Sequence, residues 1–169
     1  MSAEIAYLRP RPRISRRIEP ATLPALLHVI GHMREVDHRE VYALRWYDDN
    51  DAASLAGEML RMAPFCWVAH ADDGEPAYAF AVRDMWPGVC ALGGFGTDRW
   101  KDVLWPVTRF TRRLLKATLT DGFVHRVECV SLAEKIDGHR WLRWLGAESE
   151  AVLWAYGRHR EDYIRFVWR

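Results

Sequence analysis

The chain has 169 residues, 50% of them hydrophobic and 28% charged, with a formal net charge of +1. That length suits one domain with a real core, and the near-neutral balance excludes a protein that meets nucleic acid with its whole surface, so any such role falls to a local patch. The uncharged run Met85 to Thr97 covers 13 residues and is broken by Pro87, Gly88, Gly93 and Gly94, short of the roughly 20 apolar residues of a membrane-spanning helix.

The first 17 residues, MSAEIAYLRPRPRISRR, lack the apolar stretch of a signal peptide. Arg9, Arg11, Arg13, Arg16 and Arg17 are interleaved with Pro10 and Pro12. Mutual repulsion and the fixed proline torsion favour an extended basic arm. Residues 1–12 read as that arm and 13–169 as a single domain, with Arg13 to Glu19 entering the sheet as its first strand. From Pro20 to Arg34, Leu23, Leu26, Leu27, Ile30 and Met33 recur at helical spacing, with Thr22 as N-cap and Pro24 in the first turn. Asp37 is expected to cap a second helix with Val41, Leu44 and Tyr47 on its apolar face. A third spans Ala52 to Met62, presenting Leu55, Met59 and Met62.

The period then changes. Phe65 to Ala71 and Ala77 to Val82 read as a hairpin around Asp72-Asp73-Gly74, and Val89 to Phe95 as a glycine-interrupted strand after Pro87-Gly88. Pro106 is expected to open a helix with Val103, Val107, Phe110 and Leu114 on its apolar face and Gly122 just past its end. Val124 to Val130 is a strand, Glu134 to Leu145 a helix closed by Gly146, and Glu148 to Tyr156 and Tyr163 to Trp168 are strands. This order predicts an α/β fold: a mixed central sheet of about six to seven strands with helices on both faces, including a parallel crossover between residues 89 and 130.

Cys66, Cys90 and Cys129 lie far apart in apolar segments and read as buried thiols in a reducing compartment. His28 and His32 share a helix face, but no carboxylate pattern closes a site around them, and there is no CxxC or HExxH; no metal is expected. Nine tryptophans read mainly as core fillers, with one or two left for contacts.

The element order and the ending HRWLRWLGAESEAVLWAYGRHREDYIRFVW resemble the GNAT acyltransferase superfamily. Gly96-Thr97-Asp98, then His125-Arg126-Val127-Glu128, then Arg140 to Ala147, occur in the order found in the GNAT-like internal virion protein A type of podophages. The resemblance implies a virion-associated, assembly or genome-ejection role in a tailed phage. It implies synthesis in the host cytoplasm, a place in the virion, and other phage structural proteins as partners, with oligomerisation open. The alternative it implies is an acetyl-CoA-dependent N-acetyltransferase acting on a protein or a small amine.

In that superfamily the splayed middle strands hold the pantetheine arm of acetyl-CoA, and free amides at the next helix start bind its pyrophosphate. The corresponding cofactor-binding candidates are Phe95, Gly96, Thr97, Arg99 and Lys101. Here Gly96-Thr97-Asp98-Arg99-Trp100-Lys101-Asp102 departs from the usual [QR]-x-x-G-x-[GA] turn and places two acids beside it, a degenerate site in which Arg99 and Lys101 are the available cations. Leu142 stands where the family's proton-donating tyrosine is expected, with Tyr156 as the possible substitute. Glu128 is the candidate base. Alternation places it on one face with Arg126, which describes a structural ion pair equally well.

Two basic features remain. Arg109, Arg112, Arg113 and Lys116 fall on one side of a helix, ordinarily a solvated face. Arg9, Arg11, Arg13, Arg16 and Arg17 are the partner-binding candidates, and the arm is the expected route to nucleic acid.

Overall fold

The computed structural model describes residues 17–46, 51–61 and 65–169. Arg9, Arg11, Arg13, Arg16, Tyr47 and Met62 therefore lie outside the described residues. Strand β1 (Ile18–Pro20) leads into helices α1 (Leu23–Gly31), α2 (Glu35–Tyr42) and α3 (Ala52–Arg61), then into β2 (Cys66–His70), β3 (Pro76–Trp86) and β4 (Val89–Gly96). A 3-10 helix, Asp98–Val103, runs into α4 (Leu104–Thr120), followed by β5 (Arg126–Leu132), α5 (Ile136–Trp144), β6 (Glu148–Leu153) and β7 (Tyr163–Trp168).

The seven strands form one sheet in the order β1-β2-β3-β4-β5-β7-β6. All pairs are antiparallel except β4 with β5, which run parallel across the expected crossover. Helices cover both faces. Leu26, Val29, Leu55, Ala56 and Met59 of α1 and α3 pack on one side against Val68, Ala79 and Phe95. On the other side Val107, Phe110 and Leu114 of α4, with Leu142 of α5, pack against Phe80, Leu92, Val127 and Phe166.

Local chemistry explains the element ends. Thr22 caps α1, its hydroxyl accepting from the Ala25 amide at 3.4 Å. Helix α5 stops at Gly146, whose φ of +94° suits glycine. The Ala147 amide returns to the Leu142 carbonyl and the Gly146 amide to that of Arg143, which satisfies two carbonyls that would otherwise lack donors.

Several boundaries differ from expectation for identifiable reasons. The fourth helix begins at Leu104 rather than Pro106. Proline is tolerated inside the first turn because that position has no intrahelical acceptor to serve. Strand β6 ends at Leu153, where Ala155 adopts φ +50° and its amide bonds to the Asp162 carboxylate at 2.7 Å, so Tyr156 sits in a loop and not on a strand. Helix α2 is capped by Arg34, not by Asp37, which lies inside its first turn and is fully buried.

The three cysteines are free, with Cys66 and Cys90 buried and Cys129 partly so. Burial pushes the thiols of Cys66 and Cys90 up to about 12, Asp84 adding to the effect at Cys90, and raises that of Cys129 further. Among the described residues, no helix is long and apolar enough to cross a membrane, and no group of three potential ligands could hold a metal ion.

Candidate functional site

Strands β4 and β5 face each other at only three positions, Val89 with Arg126, Cys90 with Val127 and Ala91 with Glu128. Beyond these they part, and a cavity of about 740 Å³ opens between them. The Thr97 amide bonds back to Ala77, in line with β3, whereas the N–H and C=O of Gly96 point the other way. By alternation, Leu92 and Gly94 also turn their backbone groups into the gap. On β5 the Leu132 amide points inward, and Val130 and Glu128 follow the same alternation.

Helix α2 crosses the wide end of this gap. Asp37 and Glu40 are three apart and so share one helix face. The Asp37 carboxylate accepts from the Gly96 amide at 3.0 Å, and that of Glu40 accepts from the Leu132 amide at 2.9 Å and the Ser131 hydroxyl at 2.7 Å. One acid therefore ends β4 and the other ends β5.

Two cations hold the acids in place. Arg34 donates from Nε and a terminal nitrogen to Asp37 at 2.8 and 2.6 Å, lies over the Trp100 ring at 4.7 Å, and gives its own amide to the Gly96 carbonyl. The Lys135 ammonium faces Asp37 at 2.6 Å and also bonds Glu40. Two positive and two negative charges thus cancel within the cluster, which is how such groups tolerate removal from water.

The cleft also contains Tyr78, whose buried ring meets Trp141 edge-on at 6.0 Å. Burial, reinforced by the charges of Asp37 and Glu40, holds its hydroxyl well above the usual phenol range. Gly94 is required by this neighbour: a Cβ there would stand 2.5 Å from the Tyr78 hydroxyl and 2.9 Å from the Phe80 Cβ. Gly94→Ala is expected to cost about 1–3 kcal/mol of stability, as overpacking does, measured by urea unfolding. A change below about 0.5 kcal/mol would show that Tyr78 moves aside freely.

The sequence-predicted residues divide into three groups. Glu128 and Tyr156 both line the cleft. Glu128 accepts from Arg126 at 2.8 Å, and Arg126 also makes two bonds to Glu150, at 2.8 and 2.5 Å. That pair of bonds lowers the Glu150 carboxyl and raises the guanidinium. The ring of Tyr156 leans on Tyr163 at 5.6 Å.

Phe95, Gly96, Thr97 and Arg99 are occupied by other structural contacts. Phe95 lines the cleft as well, while packing against α1 and α3. Gly96 is bonded by Asp37 and Arg34, as above. The Thr97 hydroxyl accepts from the Arg99 amide at 3.2 Å. Arg99 itself bonds Asp73 and Glu75 at 2.6 Å and Asp102 at 3.0 Å. The bond from the Glu75 amide and then that guanidinium lower Asp73, while the guanidinium is the main cause lowering Glu75. Lys101 is exposed. In the third group, Arg17 is paired with Asp72.

The chain resembles several solved structures along nearly its whole length. The acetyltransferase (GNAT family) from Bacillus anthracis aligns with a TM-score of 0.69 at 10% identity, covering 92% of this chain and 96% of that one. The Salmonella typhimurium protein solved with its cofactor acetyl-CoA gives 0.67 at 14%, covering 92% and 94%. The GNAT superfamily phosphinothricin acetyltransferase from Sinorhizobium meliloti, in complex with acetyl-CoA, gives 0.69 at 15%, covering 89% and 86%. The fold is the GNAT acetyltransferase fold. No family profile matches the sequence, and no curated protein matches it.

An acyl-CoA is therefore the cofactor to test against this GNAT-fold cleft, and the two strand ends and Arg99 are already engaged by acids. Of the backbone groups turned into the gap, the Gly96 and Leu132 amides already serve carboxylates, which leaves those of Leu92, Gly94 and Val130 for a pantetheine amide. A diphosphate needs free amides and a free cation. In the turn after β4, the Arg99 and Trp100 amides both bond to Thr97 and Arg99 is committed to three acids, so the exposed Lys101 is the cation left to it. The sequence reading missed Glu40, Lys135 and Tyr78 and misassigned Asp37. The available signal was Asp37 and Glu40 at a three-residue spacing, which looks the same on a solvated helix face.

Proposed function

We propose that this chain is a binding and assembly component built on the GNAT fold, with its acetyl-CoA slot closed by its own second helix. The role it would fill is the virion-associated, assembly or genome-ejection role of the tailed-phage proteins its sequence resembles. The observation that carries the non-catalytic half is the Asp37 carboxylate on the Gly96 amide, matched by Glu40 on Leu132. Leu142, buried beside the cleft, supports it because a hydrocarbon cannot protonate a leaving thiolate. A fold of this kind hosts many functions, so its architecture alone does not favour catalysis.

The test is mass spectrometry of particles produced from the genome that encodes the chain. The chain is expected in purified particles, and substitution of Arg9, Arg11 and Arg13 by alanine is expected to lower its incorporation while the domain stays folded. Absence from particles overturns the virion role, and unchanged incorporation of the variant removes the arm from it.

An N-acetyltransferase is the second reading, favoured by the size of the cleft and by Glu128 on its wall. Thiol release from acetyl-CoA that depends on an amine and drops sharply in Glu128→Gln would establish it in place of the first.

A further inference from the structure

The outer face of α4 and α5 carries a second feature that the cleft does not use. Trp105, Arg109, Arg112 and Lys116 follow one another at steps of four, three and four, so they form a single exposed stripe along α4. The stripe runs about 16 Å at the helical rise. Arg113 flanks it, and α4 contains no acidic residue. Among the described residues, Arg109, Arg113 and Lys116 make no ion pair.

Trp144, at the end of α5, meets Trp105 edge-on at 5.0 Å. Arg112 lies over the Trp144 ring at 5.2 Å and donates to the Trp144 carbonyl. Both indoles are on the surface, Trp105 at 62% exposure and Trp144 at 41%. The two indoles thus lie beside three cations that no acid pairs among the described residues, on a chain whose net charge is only +1.

We propose that this face binds single-stranded nucleic acid, with Trp105 and Trp144 as stacking platforms and the α4 cations on the phosphates. Charge complementarity selects a polyanion. The indoles select one with accessible flat faces, because every unpaired base offers one and a duplex hides them. Arg112 is placed to serve both purposes, fixing Trp144 while remaining beside the path of the phosphates. This site is independent of the cleft and of the closed cofactor slot.

The experiment is fluorescence anisotropy of a labelled oligo-dT strand with the full chain at two salt concentrations. Saturable binding is expected, weakening with salt at a slope of roughly −2 to −3, as for three or four neutralised phosphates on a single strand. Trp105→Ala is expected to weaken it roughly 5- to 150-fold, the range for loss of one stacked base, with an unchanged thermal melt. Four results would overturn the proposal. One is no binding at low salt. Another is tighter binding of the corresponding duplex, and a third is equal binding of poly-glutamate, which would show charge attraction alone. The last is binding abolished by alanine at Arg9, Arg11 and Arg13 yet indifferent to Trp105→Ala, which would move the contact to the arm.

Discussion

Asp37→Ala is expected to cost about 3–5 kcal/mol of folding stability, the penalty for breaking a buried ion pair from one side. The reason lies in what it leaves behind. Arg34 and Lys135 would remain in the cluster with only Glu40 to compensate them, and the Gly96 amide would lose its acceptor. Asp37→Asn should fall between wild type and alanine, since its side-chain oxygen can still accept from Gly96 while the charge is lost. Asp102→Ala, which removes an exposed partner of Arg99, should change stability by no more than about 1 kcal/mol. Urea unfolding of the three variants gives the ranking. If Asp37→Ala costs no more than Asp102→Ala, α2 is not fastened to the strand ends as described.

Lys135→Met should be comparably severe, about 3–5 kcal/mol, because it leaves Glu40 buried without its cation and Asp37 with Arg34 alone. A double variant with Asp37→Asn should recover part of the loss, and the coupling measures the pair. The pH dependence provides an independent check. Burial alone would lower the Lys135 ammonium, but the charges and bonds of Glu40 and Asp37 outweigh it and hold the group above its ordinary value of 10.5. The folded chain therefore keeps this proton to higher pH than the unfolded one. Its stabilising contribution is full below about 10.5 and is lost as pH rises through the folded-state value. Wild type should lose stability above that point more steeply than Lys135→Met. Parallel alkaline profiles would show that the ammonium is not buried between the acids.

These effects come from contacts that local sequence patterns cannot register. The bounds of β7, Tyr163 to Trp168, and the stop of α5 at Gly146 are legible because alternation and turn chemistry are written in consecutive residues. Val103, Val107, Phe110 and Leu114 were legible for the same reason, through helical spacing. Asp37 and Gly96 are 59 positions apart, and Glu40 and Leu132 are 92 apart. A carboxylate on a helix reads as solvated until the strands it meets are in place. The sequence carries β6 on to Tyr156 because Ala155 takes a left-handed turn without glycine or asparagine to announce it. The expected pairing of Arg126 with Glu128 did form, since period-two alternation fixes which residues share a face, but the Glu150 contact that shares the guanidinium depends on the neighbouring strands.

The GNAT architecture, then, is kept, while the strand-end donors that the cleft could offer a cofactor are taken by carboxylates of α2. The most direct test is calorimetric titration of the purified chain with acetyl-CoA, with desulfo-CoA as control. No saturable heat up to millimolar ligand is expected, because the Gly96 and Leu132 amides already hold carboxylates and Arg99 is committed to three acids. Saturable binding of both compounds at micromolar concentration would contradict a closed slot and make the acetyltransferase the leading account.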